Sequence, residues 1–232
     1  MKSTNTFDTL ITKKIILNKN IIMFHDRIEA GSKLAKKLKK YQKEDGIILA
    51  VPRGGVAVAY SVAKELDFPV QLIITKKIGH PNNPEYAIGA ASLSDYFIIP
   101  HELVTDDYIH DELKKIRMRL KEMNDKFIKY TKSTSITGKT VIVIDDGIAT
   151  GNTLMATVSI LRKSNPAKII IAAPVASPRA VEKLRSEVDD VIVLLMPYDF
   201  YGVGGYYEEF KQVTDDEVIF YLNKLKVMKL AF

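Results

Sequence analysis

The sequence predicts an α/β fold: a doubly wound parallel sheet with helices on both faces. Strand-like apolar runs alternate with helical patterns over most of the chain, as they do in such folds. The run Val141–Ile144 consists of β-branched apolar residues, which is typical of a strand buried on both faces. A hydrophobic fraction of 47% over 232 residues is enough for a full core. Because no repeat or low-complexity linker interrupts the chain, we expect one domain over residues 1–232.

The first third of the chain contains the pattern of a βαβ unit. Short strands are predicted at 15–17 and 21–24, and Asp26, with Glu29 three residues later, marks the start of a helix. The unit itself is predicted from a strand at 47–51, a tight loop at 52–55, a helix at 56–66 and a strand at 70–75. Two prolines, two asparagines and a glycine at 76–86 predict an exposed, irregular loop, and 88–93 with 96–100 predict a hairpin.

A long helix is predicted at about 106–130, because apolar residues recur there at alternating steps of four and three. These residues are Ile109, Leu113, Ile116, Leu120, Met123, Phe127 and Tyr130. Such a stripe is explained by a helix lying along the sheet or by a contact between two copies in a homodimer. We favour the first explanation and retain the homodimer as an alternative.

The remaining elements alternate regularly. Strands are predicted at 140–144, 168–173 and 190–195, and helices at 152–162, 177–187 and from about 215. Thr214 and Glu217 form a capping-box pattern before the last helix.

Composition excludes several classes of function. The chain has no cysteine, so a disulfide, a thiolate metal site and a cysteine nucleophile are excluded. No run approaches about 18 apolar residues, so we expect no membrane span and a cytoplasmic protein. The net charge of +6 owes much to the lysines between Lys33 and Lys40, which a solvated helix face explains, and no nucleic-acid motif accompanies them.

The segment 140–153 carries the most chemical information. Two carboxylates, Asp145 and Asp146, follow a buried strand, and ligands of such sheets bind beyond the carboxyl ends of strands. A turn rich in glycine and threonine then opens a helix, whose free amides and dipole suit a phosphate. Together they predict a ligand that has a phosphate at one end and paired hydroxyls or a cation beside it. A sugar phosphate has this form.

This segment resembles the phosphoribosyl-diphosphate (PRPP) motif of type I phosphoribosyltransferases. The resemblance implies that Asp145 and Asp146 hold the ribose hydroxyls and contact a Mg²⁺ that arrives on PRPP. It also implies that a run of seven residues wraps the 5-phosphate: Gly147, Ile148, Ala149, Thr150, Gly151, Asn152 and Thr153.

The resemblance assigns roles to other segments. The loop of Arg53, Gly54 and Gly55 would bind diphosphate, with a non-proline cis peptide next to Arg53 and help from Lys76 or Lys77. The loop 76–86 would be a mobile lid that excludes water. A hood formed by about 1–45 and 197–212 would bind the acceptor. In the tail, the acceptor-binding residues would be Phe200, Val203, Tyr206 and Tyr207.

The resulting hypothesis is Mg²⁺-dependent transfer of 5-phosphoribosyl from PRPP to a nitrogen heterocycle, with release of diphosphate. The chain looks most like a group of uncharacterised bacterial and archaeal phosphoribosyltransferase-like proteins. Hypoxanthine–guanine enzymes carry a carboxylate where this chain has Ala149, which argues against a 6-oxopurine acceptor. Glu85, in the loop 76–86, is the candidate that would replace this carboxylate as the catalytic base. The alternatives are a regulator that senses PRPP or a nucleotide, with nucleic acid bound through the Lys33–Lys40 helix, and a PRPP hydrolase.

Overall fold

A computed structural model describes residues 23–131 and 134–228, apart from the side chain of Glu85. These residues contain strands β1 (Gly46–Ala50), β2 (Val70–Leu72), β3 (Lys76–His80), β4 (Asn83–Ala91), β5 (Tyr96–Ile98), β6 (Thr140–Ile144), β7 (Lys168–Val175) and β8 (Asp190–Leu195). They also contain helices α1 (Arg27–Leu38), α2 (Gly54–Leu66), α3 (Asp106–Phe127), α4 (Asn152–Arg162), α5 (Pro178–Arg185) and α6 (Asp215–Val227).

The central sheet has five parallel strands in the order β2-β1-β6-β7-β8. Its strands are in register, so that Ile48 lies opposite Ile142, which in turn lies opposite Ile170. These side chains pack with α1, α2 and α6 on one face. Their neighbours along each strand point to the other face and pack with α4 and α5. The predicted doubly wound sheet is therefore confirmed.

Capping side chains define where two helices begin. The Glu29 N–H donates to Asp26 Oδ1 over 2.8 Å at the start of α1. At the start of α6, the Glu217 N–H donates to Thr214 Oγ1 and the Thr214 N–H donates to Glu217 Oε2. These bonds satisfy amides that have no acceptor within the helix. The predicted start of the last helix is confirmed.

Residues 76–86 do not form the irregular loop that their composition predicts. They belong to an antiparallel sheet of β3, β4 and β5, in which Lys76 lies opposite Ala91. The pairing of β4 with β5 confirms the predicted hairpin. The loop prediction was wrong because a register shift after Ile78 accommodates Pro84, as bulges in sheets do. Ile78 and Ile88 are buried against the helix α3, and this packing holds the small sheet in place.

The long helix is confirmed as α3, followed by a short 3₁₀ turn at Ile128–Tyr130. The first half of its apolar stripe, including Leu113 and Leu120, packs against the small sheet. The second half, which includes Phe127, packs into the main core under α2 and α6. The stripe is thus buried within the chain, as the favoured explanation predicts, and the homodimer stays a separate prediction.

Replacing Leu120 by Ala should lower the free energy of unfolding by about 2–5 kcal/mol, since Leu120 is only 2% exposed. Met118→Ala is the matched control: Met118 is 61% exposed on the same helix and should change stability by no more than about 0.5 kcal/mol. Denaturant titration measures both values. If the stripe were instead covered by a second copy, the loss at Leu120 would depend on protein concentration.

The chain before α1 contacts the tail that follows β8. The Phe24 N–H donates to the Tyr206 carbonyl over 2.9 Å, and the Glu208 N–H donates to the Phe24 carbonyl over 2.8 Å. The Phe24 and Tyr207 rings pack with their centroids 5.4 Å apart. These contacts join the described parts of the predicted hood; the strand and hood predictions for residues 1–22 lie outside the described residues.

Candidate functional site

A crevice opens where the central sheet changes its winding direction. Strands β1 and β6 are neighbours, but β1 leads into α2 on one face and β6 leads into α4 on the other. The two strand ends stay joined by the Val51 N–H, which donates to the Ile144 carbonyl over 2.9 Å. Ligands of open α/β sheets bind at such a point. The loop of Arg53 and the carboxylates Asp145 and Asp146 follow directly from these two strands.

The two carboxylates have different surroundings. Asp145 Oδ1 accepts the Asp146 N–H over 2.8 Å, which turns the half-buried Asp145 side chain back onto its own loop. Asp146 Oδ2 lies 2.8 Å from Arg27 Nε, and both of these side chains are largely buried. Burial, together with the adjacent Asp146 carboxylate, raises the pKa of Asp145 well above its usual range. Burial and the neighbouring carboxylate therefore oppose ionisation of Asp145, whereas Asp146 has the Arg27 guanidinium beside it.

The raised pKa of Asp145 predicts a pH-dependent stability difference. The stability contributed by a carboxyl with a raised folded-state pKa is present below its unfolded pKa and is lost as pH rises through the folded value. An asparagine side chain does not titrate. The Tm of Asp145→Asn should therefore equal that of the wild type near pH 4 and exceed it at neutral pH. A gain on the order of 1 kcal/mol, or about 2–4 °C, is expected. Thermal unfolding from pH 4 to pH 8 measures this, and a gain independent of pH would contradict the pKa assignment.

Arg27 joins the crevice from the start of α1, although the sequence did not indicate it as a partner of Asp146. Its guanidinium carbon lies 3.9 Å from the centre of the Phe210 ring, and Nη1 donates to the Lys211 carbonyl over 3.0 Å. These contacts fix the plane of the guanidinium and thereby the direction of the Asp146 carboxylate. The two residues are 119 positions apart, so no local spacing could have shown the pair.

Two glycines allow the loops of the crevice to approach each other. A Cβ atom at Gly54 would collide with the carboxylate of Asp146, and a Cβ at Gly147 would collide with the Val203 side chain. The Arg53 loop therefore lies directly against Asp146 at Gly54. The tail lies directly against the residue after Asp146, Gly147, through Val203. A residue with a Cβ at Gly54 or Gly147 would have to displace the Asp146 or the Val203 side chain.

The turn predicted to wrap a phosphate runs from Gly147 to Thr153. Gly151 has φ of +72°, which favours glycine, and α4 begins at the next residue with first amides that lack intrahelical acceptors. Ile148 departs from the prediction, because its N–H donates to the Val175 carbonyl over 2.9 Å and its side chain is buried. The remaining residues of the turn keep the predicted role as a proposal.

Arg53 lies on the crevice but already has an acidic neighbour. The Pro52–Arg53 peptide is cis, as the resemblance implies. Arg53 Nε lies 2.8 Å from Asp215 Oδ1 at the start of α6, and Lys126 Nζ lies 2.6 Å from the other oxygen of that carboxylate. The nearby Lys126 ammonium, with a smaller contribution from Arg53, lowers the pKa of Asp215. Arg53, Gly54 and Asp146 line a cleft of about 610 Å³.

The sequence pattern places Lys76 and Lys77 at the end of the second strand of the central sheet. The structure places them elsewhere. They begin β3 of the small sheet, because the central strand β2 ends at Leu72. In this arrangement, neither lysine lines the cleft with Arg53, and a contact of either lysine to diphosphate stays a prediction. The side chain of Glu85 is outside the described structure, so its predicted role as a base stays a prediction.

The aromatic residues of the tail divide into packed and accessible ones. Tyr206 and Tyr207 are each 4% exposed, and their hydroxyls donate to the Asp199 and Asp146 carbonyls. Burial raises the pKa of Tyr207. The prediction that Tyr206 and Tyr207 bind the acceptor is corrected, because packing covers both rings in this arrangement. Phe200 and Val203 are half-buried and remain candidates, and Phe210 lines the cleft without having been predicted.

A second cavity, of about 620 Å³, lies on another side of the same turn. The turn contributes Ala149, Thr150 and Asn152 to its lining, and β4 contributes residues from Tyr86 to Gly89. Basic residues of α5, Arg179 and Lys183, complete one wall. The PRPP-like segment therefore faces two open spaces with different linings.

The described residues show neither a membrane helix nor a preformed metal cage. No helix in 23–131 or 134–228 has both the length and the apolar character to cross a bilayer. In the same ranges, histidine, aspartate and glutamate side chains do not converge in groups of three or more that could hold a metal. Oxygen donors at the crevice come from Asp145 and Asp146.

Known proteins similar to this chain share one family description. Residues 23–207 match the family model of the phosphoribosyl transferase domain. A protein of Mycobacterium tuberculosis, provisionally named a phosphoribosyl transferase, is 31% identical over 207 residues, which cover 87% of this chain and 47% of the relative. A ribose-phosphate pyrophosphokinase of Pyrococcus furiosus is 33% identical over 94 residues, covering 40% of this chain and 32% of that protein. The chain spans about half or less of the length of these curated relatives.

A solved structure matches nearly the whole described fold. The crystal structure of TT1426 from Thermus thermophilus has 34% sequence identity and a TM-score of 0.82. The match covers 87% of this chain and 98% of that one. The two chains therefore share the same arrangement of sheet and helices.

Proposed function

Because the chain belongs to the phosphoribosyl transferase domain family, we propose that it transfers 5-phosphoribosyl from PRPP to a ring nitrogen and releases diphosphate. The observation that carries this proposal is the meeting of three groups at one crevice. The carboxylates Asp145 and Asp146, the turn 147–153 and the Arg53 loop all follow strands that end at the same edge of the sheet. PRPP has a matching pair of ribose hydroxyls, a 5-phosphate and a diphosphate.

In this proposal, the carboxylates accept the ribose hydroxyls and the turn binds the 5-phosphate. Asp146 is held in a fixed direction by Arg27, so one acceptor oxygen is oriented before the ligand arrives. The free amides at the start of α4 and the positive end of the helix dipole favour the phosphate. Charge-assisted hydrogen bonds of this kind contribute about 1.5–3 kcal/mol each.

The residues present fit a magnesium ion that arrives with its ligand. Mg²⁺ prefers oxygen donors, and it commonly takes one or two carboxylates together with substrate phosphates. Asp145 and Asp146 supply carboxylate oxygens at the crevice, and each keeps an oxygen outside the bonds described above. When bound, the ion would neutralise charge on the diphosphate.

The reaction breaks the bond between C1 and the diphosphate oxygen and forms a bond between C1 and a ring nitrogen. Diphosphate leaves with the electron pair, and Arg53 stabilises the charge that develops on it. The carboxylates of Asp145 and Asp146 stabilise positive charge on the ribose. A hydrogen on the attacking nitrogen must be removed, and Glu85 is our proposal for the base that takes it.

The decisive experiment measures diphosphate release from PRPP and Mg²⁺ with a panel of heterocyclic bases. We expect release that depends on the presence of one class of base, with a nucleotide as the second product. Release that is independent of any base would indicate a hydrolase. PRPP binding without release would indicate a sensor, and the absence of both would contradict the site assignment.

A further inference from the structure

The turn proposed to bind the 5-phosphate contains no cationic side chain. Residues 147–153 offer only glycine, apolar, hydroxyl and amide groups, and the carboxylates Asp145 and Asp146 come directly before them. A phosphate monoester carries about −1.5 to −2 charges at pH 7. The free amides and dipole at the start of α4 are equivalent to only about half a positive charge. A phosphate in this turn is therefore incompletely neutralised unless another element supplies cations.

The cavity of about 620 Å³ brings two cations to the same turn. Three residues of the turn line it: Ala149, Thr150 and Asn152. Arg179 and Lys183 of helix α5 line it as well. No residue of 147–153 lines the cleft of about 610 Å³ that contains Arg53. Of these two spaces, the one that borders the phosphate turn is thus the one that contains the α5 cations.

The start of helix α5 packs directly against the turn. The Ser177 N–H donates to the Ile148 carbonyl over 2.9 Å, and Ser177 Oγ donates to the Ala149 carbonyl over 2.6 Å. A Cβ atom at Gly151 would lie 3.3 Å from the Cβ of Ala180. A shift of α5 along the turn would break these contacts. The backbone that carries the α5 cations is therefore held in place relative to the turn.

Neither cation is neutralised by an acidic side chain. Among the described residues, no carboxylate is within ion-pair distance of Arg179 or Lys183. The two side chains are four positions apart, which places them on one face of α5. Lys183 Nζ donates to Oδ1 of Asn152 over 3.3 Å, so it already reaches the first residue of α4. By contrast, Arg27 and Arg53 are each paired with a carboxylate.

We propose, resting on the function proposed above, that Arg179 and Lys183 bind the 5-phosphate together with the turn. The amides at the start of α4 accept the phosphate, and Lys183 exchanges its bond to Asn152 for one to a phosphate oxygen. The guanidinium of Arg179 offers two parallel N–H donors to the same group. These two residues, which lie outside the PRPP-like segment, then make the protein selective for a pentose that is phosphorylated at its 5-position.

The first test measures the affinity for ribose 5-phosphate by calorimetry. Arg179→Ala and Lys183→Ala should each weaken binding about tenfold or more, as expected for the loss of a charge-assisted hydrogen bond. Arg179→Lys should restore part of the affinity, because it keeps the charge and loses the fork of donors. If Arg179→Ala and Lys183→Ala both bind ribose 5-phosphate like the wild type, the proposal is overturned.

Two further variants check that the effect is local and depends on charge. Arg185→Ala is the matched control, because Arg185 is an exposed arginine of the same helix that does not line the cavity. It should bind ribose 5-phosphate within about twofold of the wild type, since distant exposed charges are screened. Glu187 is the acidic residue in this lining among the described side chains. Glu187→Gln should bind ribose 5-phosphate at least as tightly as the wild type, and weaker binding would contradict the proposed charge balance.

The second test uses the kinetics of diphosphate release from PRPP. Arg179→Ala should raise the KM for PRPP about tenfold and leave kcat within about twofold, because the 5-phosphate takes no part in the bonds that are broken and formed. Arg53→Ala should instead lower kcat. A loss of kcat at unchanged KM in Arg179→Ala would place this cation at the reacting bond and would overturn the proposal.

The results distinguish failure of this inference from failure of the proposed function. If the wild type releases diphosphate in the presence of a base, and neither α5 variant weakens ribose 5-phosphate, the function stands and the cations have no part in phosphate binding. If the wild type does not bind ribose 5-phosphate, the turn is not a phosphate site, and both proposals fail. Binding that depends on both cations, without diphosphate release, supports the inference and indicates a sensor of PRPP.

Discussion

Asp145→Asn combined with Asp146→Asn is expected to abolish PRPP binding while the protein remains folded. Each substitution removes a negative charge that would accept a ribose hydroxyl or contact Mg²⁺, and two such losses together lower affinity more than about 100-fold. Folding should persist because the side-chain amide introduced at position 146 keeps an oxygen that can accept the Nε–H of Arg27. Calorimetry with PRPP and Mg²⁺ measures the affinity, and thermal unfolding checks the fold.

The matched control is Asp111→Asn, which removes one exposed carboxylate from α3. It should bind PRPP like the wild type, which would show that loss of an exposed carboxylate away from the crevice does not weaken binding. Unchanged affinity in the double variant would falsify the assignment of the carboxylates to the ribose. Loss of the unfolding transition would instead show that the pair is needed for folding.

Arg53→Ala is expected to slow diphosphate release on the order of 100-fold and to weaken diphosphate binding, with little effect on ribose 5-phosphate. The reason is that Arg53 borders the cleft next to Gly54, whereas the turn that would hold the 5-phosphate is formed by other residues. A charged hydrogen bond to the leaving group is worth more in the transition state than in the ground state. Single-turnover rates and separate titrations with diphosphate and ribose 5-phosphate measure the difference.

Asp215→Asn is the control for Arg53, because it breaks the same ion pair, together with the one to Lys126, and leaves the guanidinium in place. Both members of that pair are about one-third exposed, so its loss should change stability by no more than about 1 kcal/mol. The variant should bind diphosphate at least as tightly as the wild type, since Arg53 has lost a competing anion. Equal losses in both variants would mean that the ion pair, and not a contact to diphosphate, explains the Arg53 result.

The fold could be predicted from sequence where burial determines the pattern. Strands such as Val141–Ile144 are apolar on both faces, and α3 repeats its apolar residues at helical spacing, so each pattern indicates one type of secondary structure. The pairing of β3 with β4 could not be predicted, because Pro81 and Pro84, with the two asparagines between them, indicate a turn in isolation. Only the tertiary contacts of Ile78 and Ile88 make a strand the better solution.

The site was predictable where one segment contains the chemistry and less so where distant segments meet. Asp145 and Asp146 follow their strand in sequence, so the sheet places them at its edge. The pairing of Arg27 with Asp146 depends on the packing of α1, which no spacing shows. Likewise, the number of aromatic residues after β8 does not reveal that Tyr206 and Tyr207 face inward. Composition indicates which groups are available, and packing decides which of them face a ligand.

The bond from Ile148 to Val175, with the two from Ser177, extends the pairing of β6 and β7 beyond the sheet and into the turn. An anion that reaches this turn meets amides whose directions were fixed when the chain folded. Binding then orders the turn little further, because the entropy of ordering it was already lost during folding. In the proposed function, the 5-phosphate would therefore meet a preorganised turn, and we expect the choice between ligands to be made at the groups that lie outside this turn.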